Sequence, residues 1–168
     1  MAKITFKRQS EYFLKLKQLE THFVKNEVLE RAVHKGAAIV ADEIRKNLES
    51  LPEEQFRHLD TYLGDYFREV PTGQKIDIAE GFGLTPIERD SRGFVHTKAG
   101  FEGYGSYPTN AYPQGVPNAL IARAIESGSS VRNKTPFVRT AVNASRKEAV
   151  KAMEKSIDDD TKKIFEGG

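Results

Sequence analysis

Apolar residues recur at helical spacing in four stretches of the chain. In the first, Ser10 can cap a short amphipathic helix carrying Tyr12, Phe13, Leu16 and Leu19. The second and strongest runs from Asn26 to about Leu51. There Val28, Leu29, Ala32, Val33, Gly36, Ile39, Val40, Ile44 and Leu48 form one stripe, and Glu, Lys, Arg and Asp the other. Gly36 lies inside the stripe, and its missing side chain predicts close approach of another backbone, at a helix-propensity cost of about 1 kcal/mol relative to Ala. Pro52 closes this helix and can open a shorter one through Phe56, Leu59, Tyr62 and Leu63, stopped by Gly64.

The third stretch is short. Asn118 can cap a helix with Leu120, Ile121, Ala124 and Ile125 on one face, and Gly128 can end it in a left-handed conformation. After a polar connector, Thr135 and Pro136 read as an N-cap and first-turn pair for the fourth stretch, a long helix from Phe137 to about Phe165. Its stripe holds Val138, Ala141, Val142, Ser145, Ala149, Ala152, Met153, Ile157, Ile164 and Phe165, and the alanine-rich centre allows close packing.

Strand periodicity occurs once. Leu84–Arg89 and Phe94–Phe101 are extended candidates joined by Asp90, Ser91, Arg92 and Gly93, a composition suited to a type I turn ending on glycine. Val95, Thr97, Ala99 and Phe101 alternate with Phe94, His96, Lys98 and Gly100. Between residues 65 and 83, Pro71, Gly73, Gly81 and Gly83 break any long element. Residues 100–115, GFEGYGSYPTNAYPQG, read as an exposed contact loop or a disordered one. The expected fold is α+β: two long helices packed on a small antiparallel sheet, the hairpin at 84–102, with short extra helices. Residues 1–25 form an arm or short helix, and 26–168 a single domain.

Composition narrows the chemistry. At 168 residues the chain supports one real core and not two. Lys and Arg number 26 against 24 Asp and Glu, too even a balance to name nucleic acid or a membrane as the main partner. Its distribution is uneven: residues 1–50 and 111–168 each carry ten basic and seven acidic side chains, and 51–110 carry six and ten. Such polarity suits subunits that meet through complementary edges. The absence of cysteine excludes disulfides, thiolate metal sites and cysteine nucleophiles. MAKITFKRQS has no apolar run of signal-peptide length, and no eighteen apolar residues are consecutive, which predicts a chain made and used in solution.

Candidate catalytic patterns read as bland. His22, His34, His58 and His96 stand apart, with none at metal-ligand spacing from another. Gly81 with Gly83, and Gly100, Gly103 and Gly105, lack the strand-to-helix context and the terminal Lys and Ser or Thr of a phosphate loop. Ser127, Ser129 and Ser130 have no GxSxG around them and no nearby histidine. Glu53 and Glu54 read as a favourable helix N-terminus, and Asp158–Asp160 as a solvated helix face. Arg132, Lys134 and Arg139, with Arg123 and Lys147 near, are the strongest basic cluster, but only Phe137 offers an interleaved aromatic for nucleic acid.

The stretch from Gly81 to Ala144 resembles a family of tailed-phage and prophage neck proteins. This is the tail-completion, or head-tail joining, family named after the tenth gene product of a lambda-like coliphage. The likeness rests on GFGLTPIERDSRGFVHTKAGFEGY and PNALIARAIESGSSVRNKTPFVRTAV: a Gly-containing hairpin, a short Ala-rich helix ending in Glu-x-Gly, and a Thr-Pro-Phe helix start. The family pattern has Thr after the helix-ending glycine, where this chain has Ser129. The long helix from Asn26 to Leu51 agrees in position only.

The resemblance implies an α+β virion structural subunit that forms a homo-oligomeric ring at the head-tail junction. It also implies no enzymatic activity, catalytic residue, metal or cofactor. Partners would be further copies and other neck or tail proteins, with non-specific contact to passing DNA, and neither membrane nor small-molecule substrate. The protein would be assembled in the host bacterial cytoplasm and end in the virion. A ring requires a heterologous, head-to-tail contact. The candidate contact residues are Tyr104, Tyr107 and Tyr112 in the loop, and Arg123, Glu126, Arg132, Lys134, Phe137 and Arg139 around the connector. The rival readings are a DNA-binding or packaging accessory of the neck, and a hydrolase or nuclease with an unrecognised site.

Overall fold

A computed structural model describes residue 21 and residues 27–54, 69–130 and 132–166. Within them the chain is α+β, as its periodicities predict. Helix α1 spans Glu27–Glu49, and α4 spans Val138–Glu166. They run antiparallel, since Arg31 Nε donates to Asp160 Oδ2 at 2.9 Å at one end and Asn47 Nδ2 donates to the carbonyl of Phe137 at 3.1 Å at the other. Small residues make the contact: Ala32, Gly36 and Ala41 are buried on α1, and Ala141, Ser145, Ala149 and Ser156 on α4. A Cβ on Gly36 would stand 2.6 Å from Met153 Cγ and Sδ. The close approach expected at Gly36 is therefore an α1–α4 contact.

The next segment departs from expectation. Glu53–Glu54 is a short strand, β1, paired in parallel with β2, Val70–Pro71. The helix expected to open at Pro52 does not start there, and its remaining residues, like the arm at 1–25 apart from Thr21, lie outside the described residues. The supposed breakers at 65–83 enclose a helix, α2, Thr72–Glu80. Pro71 is its N-cap and Gly81 its C-cap, so the punctuation marks the ends of a nine-residue element.

The hairpin forms, but in two pieces. Phe82–Leu84 (β3) pairs with Ala99–Phe101 (β6), and Glu88–Arg89 (β4) pairs with Val95–His96 (β5), both antiparallel. Two threonines bridge the gap: Thr97 Oγ1 donates to the Thr85 carbonyl at 2.6 Å, and Thr85 Oγ1 accepts from Lys98 N at 3.0 Å. Side-chain hydroxyls interrupt the ladder and satisfy it at once. The turn is the expected one, with Gly93 N donating to the Asp90 carbonyl at 2.9 Å and Gly93 at φ 85°.

Helix α3, Asn118–Ser127, completes the fold. Ile44, Leu48, Leu51, Val70, Ile78, Phe82, Ile121, Ile125 and Phe137 form the core with buried alanines of α1, α3 and α4. Phe101 joins Phe82 to Phe137 through ring centroids 5.2 and 5.9 Å apart, and the Arg45 guanidinium sits 5.3 Å from the Phe82 centroid. Both aromatic contacts are tilted or edge-on, the favoured arrangement for ring quadrupoles. Among the described residues no helix is long and apolar enough to cross a membrane.

Candidate functional site

The site grows from the passage between α3 and α4. Asn118 was expected to cap α3, but it is the first helical residue, buried, with its amide turned inward. Its Nδ2 donates to the carbonyls of Asp77 at 2.9 Å and Glu102 at 2.8 Å, tying α3 to the end of α2 and to the chain after β6. A capping-type residue here serves as a cross-link. The buried face of α3 is Asn118, Ile121, Ala122 and Ile125, while Leu120, expected inside, is 40% exposed.

Gly128 ends the helix at φ 77° but ψ 168°, so the chain leaves extended rather than in the left-handed helical conformation expected. The connector then folds back, with Ser129 N donating to the Arg132 carbonyl and Thr135 N to the Ile125 carbonyl. The start of α4 is capped across the connector. Glu126 Oε2 accepts from the backbone amides of Phe137 and Val138, both at 2.8 Å, and Oε1 from that of Arg139 at 3.1 Å. Thr135 is therefore not the cap, and α4 begins at Val138. A carboxylate on three unpaired amides at the positive end of a helix is the stronger arrangement.

The nine residues proposed for contact thus divide. Phe137 is buried, its ring edge-on to Phe101, and Glu126 is committed to the cap. Arg132 is also buried, its Nη2 donating to Gln74 Oε1 on α2. Arg123, Lys134 and Arg139 are exposed, as are Tyr104, Tyr107 and Tyr112 at 59, 45 and 39%.

Between α3 and α4, over β6, lies an open groove of about 450 Å³. Gly100 and Phe101 of β6, Ala119 and Ala122 of α3, and Val138 and Val142 of α4 line it, with Arg123 and Arg139 among its walls. Leu120 and Val142 add exposed apolar surface. Residues 118–147 carry Arg123, Lys134, Arg139, Arg146 and Lys147 exposed, and the single acid in that span, Glu126, is the cap. The groove is apolar in floor and cationic in rim. The sequence points to its cations but not to Ala119 and Val142, because a helical stripe broader than the core needs does not say which edge stays outside. The available signal is the position of Val142 between Arg139 and Arg146 in the sequence.

On the other flank of α3 lies a contrasting face. Ile76, Ala79 and Glu80 are exposed on α2, and Glu102, Tyr104 and Tyr107 on the adjoining loop. That loop is pinned. Both carboxylate oxygens of Asp77 accept from Ser106, its backbone amide at 2.8 Å and its hydroxyl, while Gly105 N donates to the Val116 carbonyl at 2.8 Å. Tyr107 packs its ring against Gly73. The loop at 100–115 is held in place by these bonds and by turns at Thr109–Tyr112 and Tyr112–Gly115. A second hollow of about 270 Å³ lies among Tyr104, Tyr112 and Pro113.

The base of α2 is an ionic clasp. Lys75 Nζ donates to Glu53 Oε1 at 2.6 Å and to the carbonyls of Glu49 and Leu51 at 2.6 and 3.0 Å. Thr72 Oγ1 donates to Glu53 Oε2 at 3.1 Å. The Lys75 hydrogen bond, with help from Thr72 and the Lys75 charge, holds the Glu53 carboxyl below the usual carboxylate range. Glu53 therefore acts as a strand residue gripping α2, not at a helix N-terminus. Among the described residues no group of three or more His, Cys, Asp or Glu side chains could hold a metal ion. Comparison of the chain with protein-family models, with curated proteins and with solved structures gives no match.

Proposed function

We propose that the protein is a phage or prophage virion component of the neck, which completes the tail and joins it to the head by assembling with copies of itself. The observation that carries this reading is the uncovered apolar groove between α3 and α4, rimmed by Arg123 and Arg139. Its lining includes Glu126 and Ser127 of the Glu-x-Gly helix end, and Val138 and Arg139, which directly follow Thr-Pro-Phe, so it lies beside the segments that carry the resemblance to neck proteins. An open apolar groove of this size with charged walls suits a protein surface that excludes water on contact. The two arginines supply orientation and the floor supplies affinity.

The test is complementation. Deleting the gene from the phage or prophage that carries it should leave filled heads and finished tails unjoined under the electron microscope, and purified protein added to that lysate should restore infectious particles. Normal joined virions from the deletion would remove the reading.

A second reading, a DNA-binding accessory of the neck, is favoured by the five exposed cations at 118–147. Duplex binding that falls steeply with salt would support it, and no binding at low salt would remove it.

A further inference from the structure

We infer that the groove of one copy is covered by the opposite flank of the next: the α2 and loop face carrying Ile76, Glu80, Glu102, Tyr104 and Tyr107 docks head-to-tail into the groove bearing Arg123 and Arg139. This deepens the assembly reading above and rests on it. The two flanks of α3 carry opposite charge.

Charge complementarity comes first. The α2 and loop face presents Glu80 and Glu102. Lys75, the one cation in the sequence of α2 and the loop at 102–115, is spent on Glu53 and on two carbonyls. The groove presents Arg123 and Arg139, the latter with its Nε 3.7 Å from Glu126 Oε1, and that glutamate, the only carboxylate in the lining, also caps the α4 amides, which leaves the groove net cationic. Each face thus offers one sign of charge, so a face repels its own kind and attracts the other. An isologous pairing of like faces is disfavoured, and a heterologous pairing is the one that propagates around an axis.

Shape and chemistry agree. Tyr104 and Tyr107 are among the most exposed aromatic residues described, and they stand on a loop fixed by Asp77 and Gly105 rather than waiting to be ordered. Preorganised tyrosines lose little conformational entropy on contact. Arginine stacks on aromatic faces, which gives Arg123 and Arg139 partners beyond the carboxylates. The apolar floor favours protein over duplex DNA, whose phosphates gain nothing from Phe101, Ala122 and Val142.

The chain has no cysteine, so introduced thiols report without background. Ala79→Cys lies on the acidic face and Ala119→Cys on the groove, both at exposed positions. Treated with a flexible bismaleimide, the double variant should give a ladder of cross-linked oligomers. The two single variants mixed should give dimers only, and each alone should give none. A reciprocal charge exchange gives a second readout: Arg123→Glu should weaken self-association at least tenfold by sedimentation, and Glu80→Arg in the same chain should restore most of it.

Cross-linking of a single variant with itself would overturn the head-to-tail pairing. So would a wild-type oligomer that persists while the double variant fails to link. A chain that stays monomeric up to about 1 mM, the weak end of specific association, would overturn it too. Virion complementation by that same monomer would then leave the neck role standing without this contact. Loss of duplex binding in Arg123→Glu, with no ladder from the double variant, would assign the groove to DNA instead.

Discussion

The two long helices and the unit of α2, loop and α3 are held by different means. Between α1 and α4 the contact is a seam of buried small residues, with Gly36 against Met153 and the Ala149 carbonyl and a polar tie at each end. In the second unit, single buried polar groups connect three elements: Asp77 holds Ser106, Asn118 holds the carbonyls of residues 77 and 102, and Arg132 holds Gln74. The seam is sensitive to volume and can readjust through flexible neighbours. The polar unit is sensitive to single groups and cannot, because each donor or acceptor would be left buried without a partner. The groove lies where the two regimes meet. The Asn118 cross-link on the α3 side and the capped start of α4 on the other keep its walls fixed.

The largest effect should come from a glycine whose neighbour is backbone. Gly115 has φ 99°, and a Cβ there would fall 1.9 Å from the Gly105 carbonyl oxygen. Positive-φ strain and overpacking against an immovable atom together predict a loss of about 3 kcal/mol or more for Gly115→Ala. Urea denaturation measures it. A loss below about 1 kcal/mol would mean that the loop is not the rigid partner the comparison requires.

Next is the cap. Glu126→Ala removes the acceptor of three amides at the start of α4 and should cost about 2 kcal/mol, with Glu126→Gln falling between it and wild type. Amide exchange should quicken at residues 137–139 while the α1–α4 seam keeps its protection. Equal quickening along the whole helix would show that cap and seam are one cooperative unit.

How much of this was legible depends on the range of each interaction. The amphipathic helices α1, α3 and α4 and the Asp90–Gly93 turn are written in local periodicity and local bonds, and they appear within a few residues of expectation. Gly36 announced its contact for the same reason. Helix α2 was hidden because Pro71 and Gly81 mark both a break and the two ends of a short helix, and spacing alone does not separate these meanings. The cap was hidden because Glu126 acts across an eleven-residue separation, while Thr135-Pro136 supplies the local pattern. Arg132 has the sequence context of a surface charge, since nothing in its neighbourhood announces Gln74 fifty-eight residues away. The groove's cations were legible, and its floor was not, because burial is settled by the partner element.

Gly36 faces a neighbour that can move, unlike Gly115. The neighbours a new Cβ would meet at 2.6 Å are Met153 Cγ and Sδ, in a flexible side chain, while the Ala149 carbonyl is 3.4 Å away. Gly36→Ala should gain about 1 kcal/mol of helix propensity and lose a similar amount moving Met153, so stability stays within about 1 kcal/mol of wild type. Gly36→Leu should separate the helices and cost several times more. If Gly36→Ala proves as damaging as Gly115→Ala, the seam is as rigid as the loop and the distinction fails.

The smallest effect belongs to the clasp at the base of α2, and it is a dependence on pH. Glu53 is held below its ordinary range mainly by the hydrogen bond from Lys75, then by that from Thr72. A carboxylate with a depressed folded-state pKa contributes its full stabilisation above the unfolded value, about 4.3 for Glu, and loses it as pH falls through the folded value. Melting temperature should therefore drop between neutral pH and pH 3 more in wild type than in Glu53→Gln, with the two curves converging at the acid end. The pair is close to solvent, so added salt should shrink the difference. Curves that stay parallel would mean that Lys75 grips the Glu49 and Leu51 carbonyls well enough alone. The link between β1 and α2 would then belong with the other backbone-anchored ties of the polar unit rather than with ion pairing.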